Sequence, residues 1–313
     1  MIIFSIVIPH INIPELLERC LASIPERDDL EVIIVDDNSD PNIVDFEHFP
    51  GQARPNTTVI FDKSGKGAGR ARNVGLEYAK GKWVLFVDAD DYVLPCLSAI
   101  FDNCVDSDAD VIYFRPTAVM LSDRKTPSKR DTLFNHLIDE YLRTRDENDI
   151  RTLFLSPCSI FVRKGFIDEN HIRFEEIRYS NDNFFSVSVG CLAKKIEVHD
   201  DTFYVITQRE NSLTSNFMQK PGELRCRAEA FYRASKFVVF HGYRIAESIA
   251  FDFIRRLYIN KDYKSYRKYY YLLKSYLKLT RKQMIDRIFI GYSRKHKLLC
   301  YLHSELINRY YGK

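Results

Sequence analysis

Three carboxylates follow directly on an apolar run in residues 83–91. The run Trp-Val-Leu-Phe-Val is typical of a buried strand, and Asp88, Asp90 and Asp91 stand within four positions at its end. Because ionised carboxylates are rarely buried, we expect these acids to emerge where the strand meets solvent. Two acids one residue apart can bind a hard divalent cation and leave coordination positions for phosphate oxygens. The alternative is an acidic turn in which Asp91 caps a helix over residues 94–104.

A second pair of acids, Asp36 and Asp37, ends another apolar run. In a parallel sheet both sets project from the same edge, so these two are expected to converge with Asp88 and Asp90 on one crevice. Their mutual repulsion requires a divalent cation between them, or hydrogen-bond donors such as those of a nucleobase and ribose. The glycine-rich segment, residues 65–73 (Gly-Lys-Gly-Ala-Gly-Arg-Ala-Arg-Asn), adds backbone freedom and cations, as a diphosphate would require.

The elements that must position these residues alternate along the chain. Strands are predicted at 4–8, 32–35, 59–61, 82–87, 160–162, 196–198 and 203–206. Helices are predicted at 14–23, 70–79, 131–143 and 182–193, and the chain is helical after residue 221. Pro9 is expected to end the first strand. The early alternation of strand and helix indicates a parallel sheet with right-handed crossovers.

Five segments in this order resemble the family 2 glycosyltransferases of GT-A fold, which are common in bacterial surface-polysaccharide synthesis. The resemblance covers about residues 3–216. Its segments are Phe-Ser-Ile-Val-Ile-Pro (4–9), Val-Ile-Ile-Val-Asp-Asp-Asn-Ser (32–39), Ala-Arg-Asn-Val-Gly (71–75), Phe-Val-Asp-Ala-Asp-Asp (86–91) and Tyr-Ser-Asn-Asp-Asn-Phe (179–184). It implies an α/β fold, a Rossmann-like mixed sheet flanked by helices, of the kind that binds nucleotide-diphospho-sugars.

The resemblance also implies a nucleotide pocket. Pro9 and its neighbours would form it, with Asp37 at the base or ribose and Asp36 the less suitable partner. Asp88 would lie near the ribose, and Asp90 would bind a Mg²⁺ or Mn²⁺ ion that bridges the two phosphates. Such an ion offsets charge that develops on the departing nucleoside diphosphate.

Three further residues are implied on the donor side of this pocket. Arg72 and Asn73 would line it. Arg209, which opens the segment Arg-Glu-Asn-Ser-Leu-Thr (209–214), would help to hold the diphosphate or close the site. The alternative for Arg209 is a surface cation.

The catalytic base of the family is usually the second residue of a Glu-Asp pair at the start of a helix. The matching residues here are Asn181 and Asp182, so the acidic second position is kept and the first is neutral. By resemblance, Asp182 accepts the proton of the attacking acceptor hydroxyl, which inverts the anomeric carbon in a single displacement. The alternative for Asp182 is a helix N-cap.

Cysteine and histidine usage favours neither a disulfide framework nor a zinc site. Seven scattered cysteines, an odd number, form no Cys-x-x-Cys pair, which fits a reducing cytoplasm. His10 and His171 have no partner at metal-ligand spacing and are interpreted as pocket-rim or surface residues. The N-terminus lacks a basic leader, and no apolar stretch approaches the roughly 18 residues of a membrane span, so we expect neither export nor a transmembrane helix.

Charge divides the chain near residue 220. Residues 220–313 hold 22 Lys and Arg against 7 Asp and Glu, a balance of +15, and 19 of the 41 Phe and Tyr residues. We expect a catalytic domain at 1–219, with a nucleotide-sugar half at 1–114 and an acceptor half at 115–219, and a helical region at 220–313. Cations among tyrosines suit an anionic membrane surface, and the alternative is a helical cap on the catalytic domain. No nucleic-acid motif accompanies the charge, so nucleic acid is not an expected partner.

The resemblance implies an inverting glycosyltransferase that uses a nucleotide-sugar, UDP-linked by preference, and a glycan hydroxyl as acceptor. The acceptor is expected to be lipid-linked and to belong to capsule, O-antigen or a similar surface polysaccharide. The enzyme is expected to be cytoplasmic and peripheral on the inner face of the membrane. Two alternatives are a sugar-phosphate phosphatase of haloacid dehalogenase type, which also has Asp-x-Asp after a strand, and a non-catalytic saccharide-binding subunit.

Overall fold

The structure, a computed structural model, describes residues 1–209, 221–245 and 247–310. The chain divides into two compact units, Met1–Phe217 and Met218–Lys313. The first unit contains the sheet, and the described part of the second is helical. The domain boundary expected between residues 219 and 220 lies outside the described residues.

The first unit is built on one mixed sheet, as the resemblance implies. Its described strands are β1 (Phe4–His10), β2 (Leu30–Asp37), β3 (Thr57–Asp62), β4 (Trp83–Phe86), β5 (Tyr92–Val93), β6 (Val111–Met120), β7 (Ile160–Arg163) and β8 (Ile196–Gln208). Their order is β3-β2-β1-β4-β7-β6-β8-β5. The first four pair in parallel, β7 runs antiparallel to β4 and β6, and β8 is parallel to β6 and antiparallel to β5. The parallel half therefore brings the ends of β2 and β4 to one edge.

Helices cover both faces of this sheet. They are α1 (Pro14–Ser23), α2 (Ala68–Tyr78), α3 (Leu97–Cys104), α4 (Thr132–Thr144), α5 (Asn148–Leu153), α6 (Lys164–Glu169) and α7 (Asn183–Leu192). Every residue of β1 is buried, and its side chains alternate between two apolar clusters: Ile6 joins one and Val7 the other. This explains why the central strands are apolar throughout instead of alternating with polar residues.

Two expectations about strand ends are corrected. The first strand continues through Pro9 to His10. Val7 accepts from the Val87 amide at 3.1 Å on the β4 side. Pro9 lies two residues after Val7 and faces the same side of β1. Because β4 ends at Phe86, the N–H that Pro9 lacks would point beyond the end of β4, and no hydrogen bond of the strand pair is lost. The two short strands at 196–198 and 203–206 form one strand, β8, whose register against β6 shifts on either side of Arg115, so that a bulge carries the intervening polar residues.

A close helix crossing fixes α7. The Arg151 guanidinium, on α5, donates to the carbonyls of Gly190 at 2.6 Å and Ala193 at 2.7 Å. A Cβ atom at position 190 would lie only 1.9 Å from the Arg151 carbonyl oxygen. Glycine at this position therefore lets α5 and α7 touch backbone to backbone.

The second unit contains α8 (Pro221–Phe240), α9 (Glu247–Ile259), α10 (Tyr263–Tyr276), α11 (Arg281–Ile288) and α12 (Arg294–Tyr310). Three tyrosines of the 263–271 run, Tyr266, Tyr269 and Tyr270, are buried in it. The Tyr269 hydroxyl bonds Ser235 at 3.0 Å and that of Tyr266 bonds Ser304 at 2.6 Å. These rings belong to the core of the unit, which corrects their expected role at a membrane surface. Among the described residues, no helix combines the length and apolar character needed to cross a bilayer.

Candidate active site

The three acids after β4 form one cluster. Carboxylate oxygens of Asp88, Asp90 and Asp91 all lie within 4.8 Å of one another. Asp88 and Asp90 are partly exposed, as predicted, but Asp91 is buried. The expectation that all three reach solvent is therefore wrong for Asp91.

Asp91 ties the acidic turn to β8. It accepts from the Tyr204 hydroxyl at 2.6 Å and from the Thr207 amide at 2.7 Å, and Tyr204 accepts in turn from the Asp88 amide at 3.1 Å. Burial, followed by the charges of Asp90 and Asp88, raises the pKa of Asp91. The capping alternative for Asp91 is wrong, because α3 begins after Cys96 and has no side-chain cap. Sequence reasoning missed Tyr204 and Thr207, although polar residues within an apolar strand were an available signal.

Asp90 pairs with Arg209. Arg209 Nη2 donates to Asp90 Oδ2 at 2.7 Å, and the side chains are 43% and 23% exposed. The Asp90 carbonyl also accepts from Arg19 and from the Thr207 hydroxyl. Arg209 is thus an exposed cation paired with the acidic cluster, and its part in holding a diphosphate stays a prediction. Residues 210–214 of its segment lie outside the described residues.

Arg72 joins the acidic turn to the start of α7. Its guanidinium is buried and donates to Asp88 Oδ1 at 2.6 Å and to Asn181 Oδ1 at 3.0 Å. Burial lowers the pKa of Arg72, but the charges of Asp88 and Asp182 outweigh burial and raise it. Asn181, the position where the family usually has an acid, therefore serves as a neutral acceptor for a shared arginine.

Asp182 occupies the residue before α7. Its backbone is already helical, and its side chain makes no capping hydrogen bond, so the N-cap alternative is wrong. The preceding residue, Asn181, accepts from the Arg72 guanidinium, which also binds Asp88. The fold therefore places Asp182 beside the acidic turn, although 91 residues of sequence separate it from Asp91.

Asp37 presents a buried oxygen atom at the end of β2. Its Oδ2 accepts from the Gly67 amide at 2.8 Å, whereas its Oδ1 has no hydrogen-bond partner among the residues that the structure describes. Burial raises the pKa of Asp37. Gly67, at φ 92°, adopts a conformation that favours glycine, and so the glycine-rich segment turns its backbone toward this carboxylate. A buried carboxylate oxygen without a donor fits a ligand N–H or O–H.

Asp36 is engaged elsewhere. It is fully buried and accepts from His10 Nδ1 at 2.8 Å and from the Ser39 amide at 3.0 Å. Burial raises the pKa of Asp36, but these bonds outweigh burial and lower it. The expected convergence of four carboxylates is corrected accordingly, and His10 is a core residue instead of a rim residue.

His171 is exposed, as expected. Pro9 is buried in β1 beside Val35 of β2, and its part in the pocket stays a prediction.

Other residues of the glycine-rich segment also have structural partners. Asn73 donates to the Phe174 carbonyl at 3.0 Å and accepts from its amide at 2.9 Å. Its amide group therefore anchors the segment that leads to α7, and its expected place on the donor side stays a prediction. Lys66 pairs with Glu176 at 3.1 Å and Arg70 with Asp62 at 3.3 Å, so both cations are offset by acids.

The acidic cluster fits a divalent cation of the Mg²⁺ or Mn²⁺ type. Its carboxylate oxygens are hard ligands at compatible separations. Asp91 already receives two donors, and Asp88 is held by the buried guanidinium of Arg72. Asp90 pairs with Arg209, which is exposed and can move aside, so Asp90 is the acid best suited to bind the ion. An ion at Asp90 would compete with Arg209 for the same carboxylate.

The family described as "Glycosyl transferase family 2" matches residues 5–169. The match contains Asp37, Arg72, Asp88 and Asp90. It ends before Asp182 and Arg209.

Several curated relatives cover most of this chain at low identity. Poly(ribitol-phosphate) beta-N-acetylglucosaminyltransferase TarS of Staphylococcus aureus (strain Mu50) is 28% identical over 246 residues, which cover 75% of this chain and 39% of TarS. The uncharacterized glycosyltransferase EpsJ of Bacillus subtilis is 24% identical over 219 residues, 67% of this chain and 62% of EpsJ. A poly(ribitol-phosphate) beta-glucosyltransferase of Bacillus spizizenii is 28% identical over 215 residues, 66% of this chain and 32% of that protein. The chain thus spans less than two thirds of each of these three relatives.

Solved structures show the same fold. Residues 1–349 of S. aureus TarS in complex with UDP-GlcNAc superpose with a TM-score of 0.65 at 22% identity, covering 98% of this chain and 92% of that chain. The mannosyltransferase PcManGT from Pyrobaculum calidifontis, in complex with GDP-Man and Mn²⁺, gives 0.51 at 16% identity, covering 99% and 87%. The mixed sheet with flanking helices is therefore the GT-A fold that the sequence predicts.

Proposed function

This chain belongs to glycosyl transferase family 2 and is a glycosyltransferase, and we propose that it transfers a sugar from a UDP-sugar to an acceptor hydroxyl with inversion. The observation that supports this proposal is that the buried guanidinium of Arg72 joins Asp88 of the acidic cluster to Asn181, the residue before Asp182. Because the chain belongs to this family, the alternative of a haloacid dehalogenase phosphatase is rejected.

The donor would bind along the edge from β2 to β4. Asp37 Oδ1, buried without a donor, would accept from the base or ribose. Asp88 would lie toward the ribose, and Arg209 toward the diphosphate. A UDP-sugar is the preferred donor because TarS, whose structure is similar, was solved with UDP-GlcNAc and with UDP.

Asp90 would be the metal ligand, with Asp88 beside it. A bound Mg²⁺ or Mn²⁺ ion would supply positive charge against the diphosphate as it departs. Arg209 would then be released from Asp90, and its guanidinium could turn to the phosphate oxygens. Arg72 would keep its hydrogen bonds to Asp88 and Asn181 and so hold the acidic turn and the start of α7 together.

Asp182 would act as the general base. It would take the proton of the acceptor hydroxyl while that oxygen bonds to the anomeric carbon and the bond to the diphosphate breaks. Because attack and departure occur on opposite faces, the configuration inverts. A base in this position contributes about 10² to 10⁴-fold to the rate.

The acceptor would be a surface polysaccharide or a related polymer. Two relatives carry poly(ribitol-phosphate) in their names, and another is the minor teichoic acid biosynthesis protein GgaB. A lipid-linked acceptor would bring the enzyme to the cytoplasmic face of the membrane, where the basic residues 220–313 favour peripheral attachment to anionic lipid. Capsule and O-antigen precursors are acceptors of the same class.

A ligand screen followed by a turnover assay tests this proposal. Thermal shifts against UDP-, GDP- and dTDP-sugars with Mn²⁺ should identify a UDP-sugar, and the nucleoside diphosphate should then be released faster when acceptor is added. Metal-dependent donor binding with no turnover on any acceptor would support the saccharide-binding alternative instead. An absence of binding to any nucleotide-sugar would refute both.

A further inference from the structure

One side of α12 is apolar and exposed. The exposed leucines, which we call the leucine face, are Leu298, Leu299, Leu302 and Leu306. Each is between 51% and 63% exposed. At 3.6 residues per turn they fall within an arc of about 100°. The opposite side of α12 packs into the unit through the buried Cys300, Ser304 and Ile307. A grouped set of this kind indicates a contact surface, whereas single surface leucines do not.

A basic pocket adjoins the leucine face. Its volume is about 760 Å³, and its lining residues are Lys282, Ile285, Asp286, Arg294, Lys297, Leu298 and Tyr301. Leu298 belongs to both the pocket and the leucine face. Lys297 lies 3.4 Å from Asp286, while Lys282 and Arg294 have no salt-bridge partner in the described part of the chain. The pocket therefore offers two uncompensated cations beside an apolar wall.

The combination of apolar face and basic pocket matches the boundary of a bilayer. Interfacial helices bury apolar side chains at the level where headgroups meet acyl chains and place their cations among the phosphates. Residues 220–313 carry a balance of +15, which adds a long-range attraction to anionic lipid. The same charge opposes pairing of two copies of this surface. The leucine face is also only about 12 Å long between Leu298 and Leu306, which is short for a surface that pairs two copies of the chain.

From these features we infer that α12 docks the enzyme on an anionic phospholipid bilayer. The leucine face enters the interface, and Lys282 and Arg294 bind lipid phosphates at the pocket. This inference rests on the proposed function, which brings the acceptor to a membrane. It moves the attachment site away from the tyrosine-rich α10, where Lys268 pairs with Glu229 at 2.7 Å and the rings of Tyr266 and Tyr269 are buried.

Vesicle flotation with the full chain tests the inference. Vesicles of phosphatidylglycerol and phosphatidylcholine are compared with phosphatidylcholine alone, at low and high salt. Leu302→Asp should weaken binding to the anionic vesicles at least about tenfold, because it removes an apolar contact and adds a negative charge. Ile259→Asp is the matched control: Ile259, at the end of α9, is 55% exposed against 51% for Leu302. It makes the same charge change outside the leucine face and should weaken binding less than about threefold.

The double variant Lys282→Gln/Arg294→Gln should also weaken binding and reduce its salt dependence. Circular dichroism checks that each variant is folded. Unchanged binding by Leu302→Asp with loss in the double variant would indicate a purely electrostatic site for a polyanion and would overturn the inference. A wild-type dimer in light scattering that Leu302→Asp dissociates, without vesicle binding, would assign the face to a second copy and overturn it as well.

Calorimetry of the wild-type protein with UDP-sugar and Mn²⁺ separates this inference from the proposed function. Donor binding without any binding to anionic vesicles refutes lipid docking and leaves the transferase proposal standing. Vesicle binding that depends on Leu302, without donor binding, supports lipid docking and refutes the proposed donor.

Discussion

Asn181 accepts a hydrogen bond at 3.0 Å from the buried guanidinium of Arg72, 109 residues earlier in the chain. The same guanidinium binds Asp88 at 2.6 Å. One arginine of α2 therefore sets the distance between the acidic turn after β4 and the start of α7. Because Asn181 is neutral, Asp88 is the acid with which Arg72 forms a direct salt bridge.

We expect Arg72→Lys to lower kcat by about tenfold or more. A lysine keeps the charge, but a single ammonium group cannot reproduce a planar fork that spans two acceptors. Steady-state kinetics and donor calorimetry measure the effect, and kcat should fall more than donor affinity because Asp182 loses its fixed position. Arg70→Lys, on the same helix and partly exposed, is the control and should stay near wild type. Full activity of Arg72→Lys would contradict a bridging role.

Asp182→Asn should reduce kcat at least about 100-fold and leave the donor dissociation constant nearly unchanged. The amide keeps the size of the carboxylate and loses its basicity. Single-turnover assays and calorimetry of the same preparation separate the two quantities. A parallel loss of donor affinity would assign Asp182 to binding instead of proton transfer.

Asp90→Ala should abolish transfer and remove the part of donor binding that depends on metal. Without this hard ligand, the charge of the diphosphate is left uncompensated. Calorimetry with and without Mn²⁺ measures the loss, and EDTA should have the same effect on the wild-type protein. Asp28→Ala, at an exposed site of the same domain, serves as the control. Full activity in EDTA would show that no divalent ion is needed.

Arg209→Gln should strengthen Mn²⁺ binding in the absence of donor by a few-fold. The guanidinium lies 2.7 Å from Asp90 Oδ2 and competes with a cation for that oxygen. The effect is small because the pair is partly exposed. With donor present, the same variant should bind UDP more weakly, since it loses a cation for the phosphates. Measuring free Mn²⁺ by electron paramagnetic resonance tests the first effect, with the exposed Arg130→Gln as control; equal Mn²⁺ affinity would exclude the competition.

Asp110→Asn should destabilise the protein at pH 7 by about 1 to 3 kcal/mol, since a buried ionic partner is removed. Asp110 accepts from Arg163 at 2.6 Å and from the amides of Lys194 and Lys195. Burial raises its pKa, but these bonds outweigh burial and lower it below 3.8. The stabilisation is therefore present above pH 3.8 and lost as pH falls through the folded-state pKa. The variant should unfold with a flatter acid dependence in thermal melts, and the exposed Asp28→Asn should not.

Residues at strand ends could be predicted from the sequence, whereas their partners could not. Asp90 and Asp37 follow apolar runs, and parallel strands bring such ends together whatever the rest of the chain does. The buried state of Asp91 depends on Tyr204, which lies 113 residues later, and the burial of Asp36 depends on His10. Local pattern carries no information on contacts of this range. The partner of Asn73, the backbone of Phe174, could not be predicted for the same reason.

With Asp182 as the proposed base, the glycine at position 190 would make the rate of transfer sensitive to a site far from the ligands. Asp182 precedes Gly190 by eight residues, about 12 Å along the helix. A side chain at 190 would force α7 away from Arg151, and a tilt of about 5° would move the carboxylate by about 1 Å. Misplacement of that size can cost about 100-fold in rate. Divergence between relatives at this crossing would therefore change turnover while every donor contact is kept.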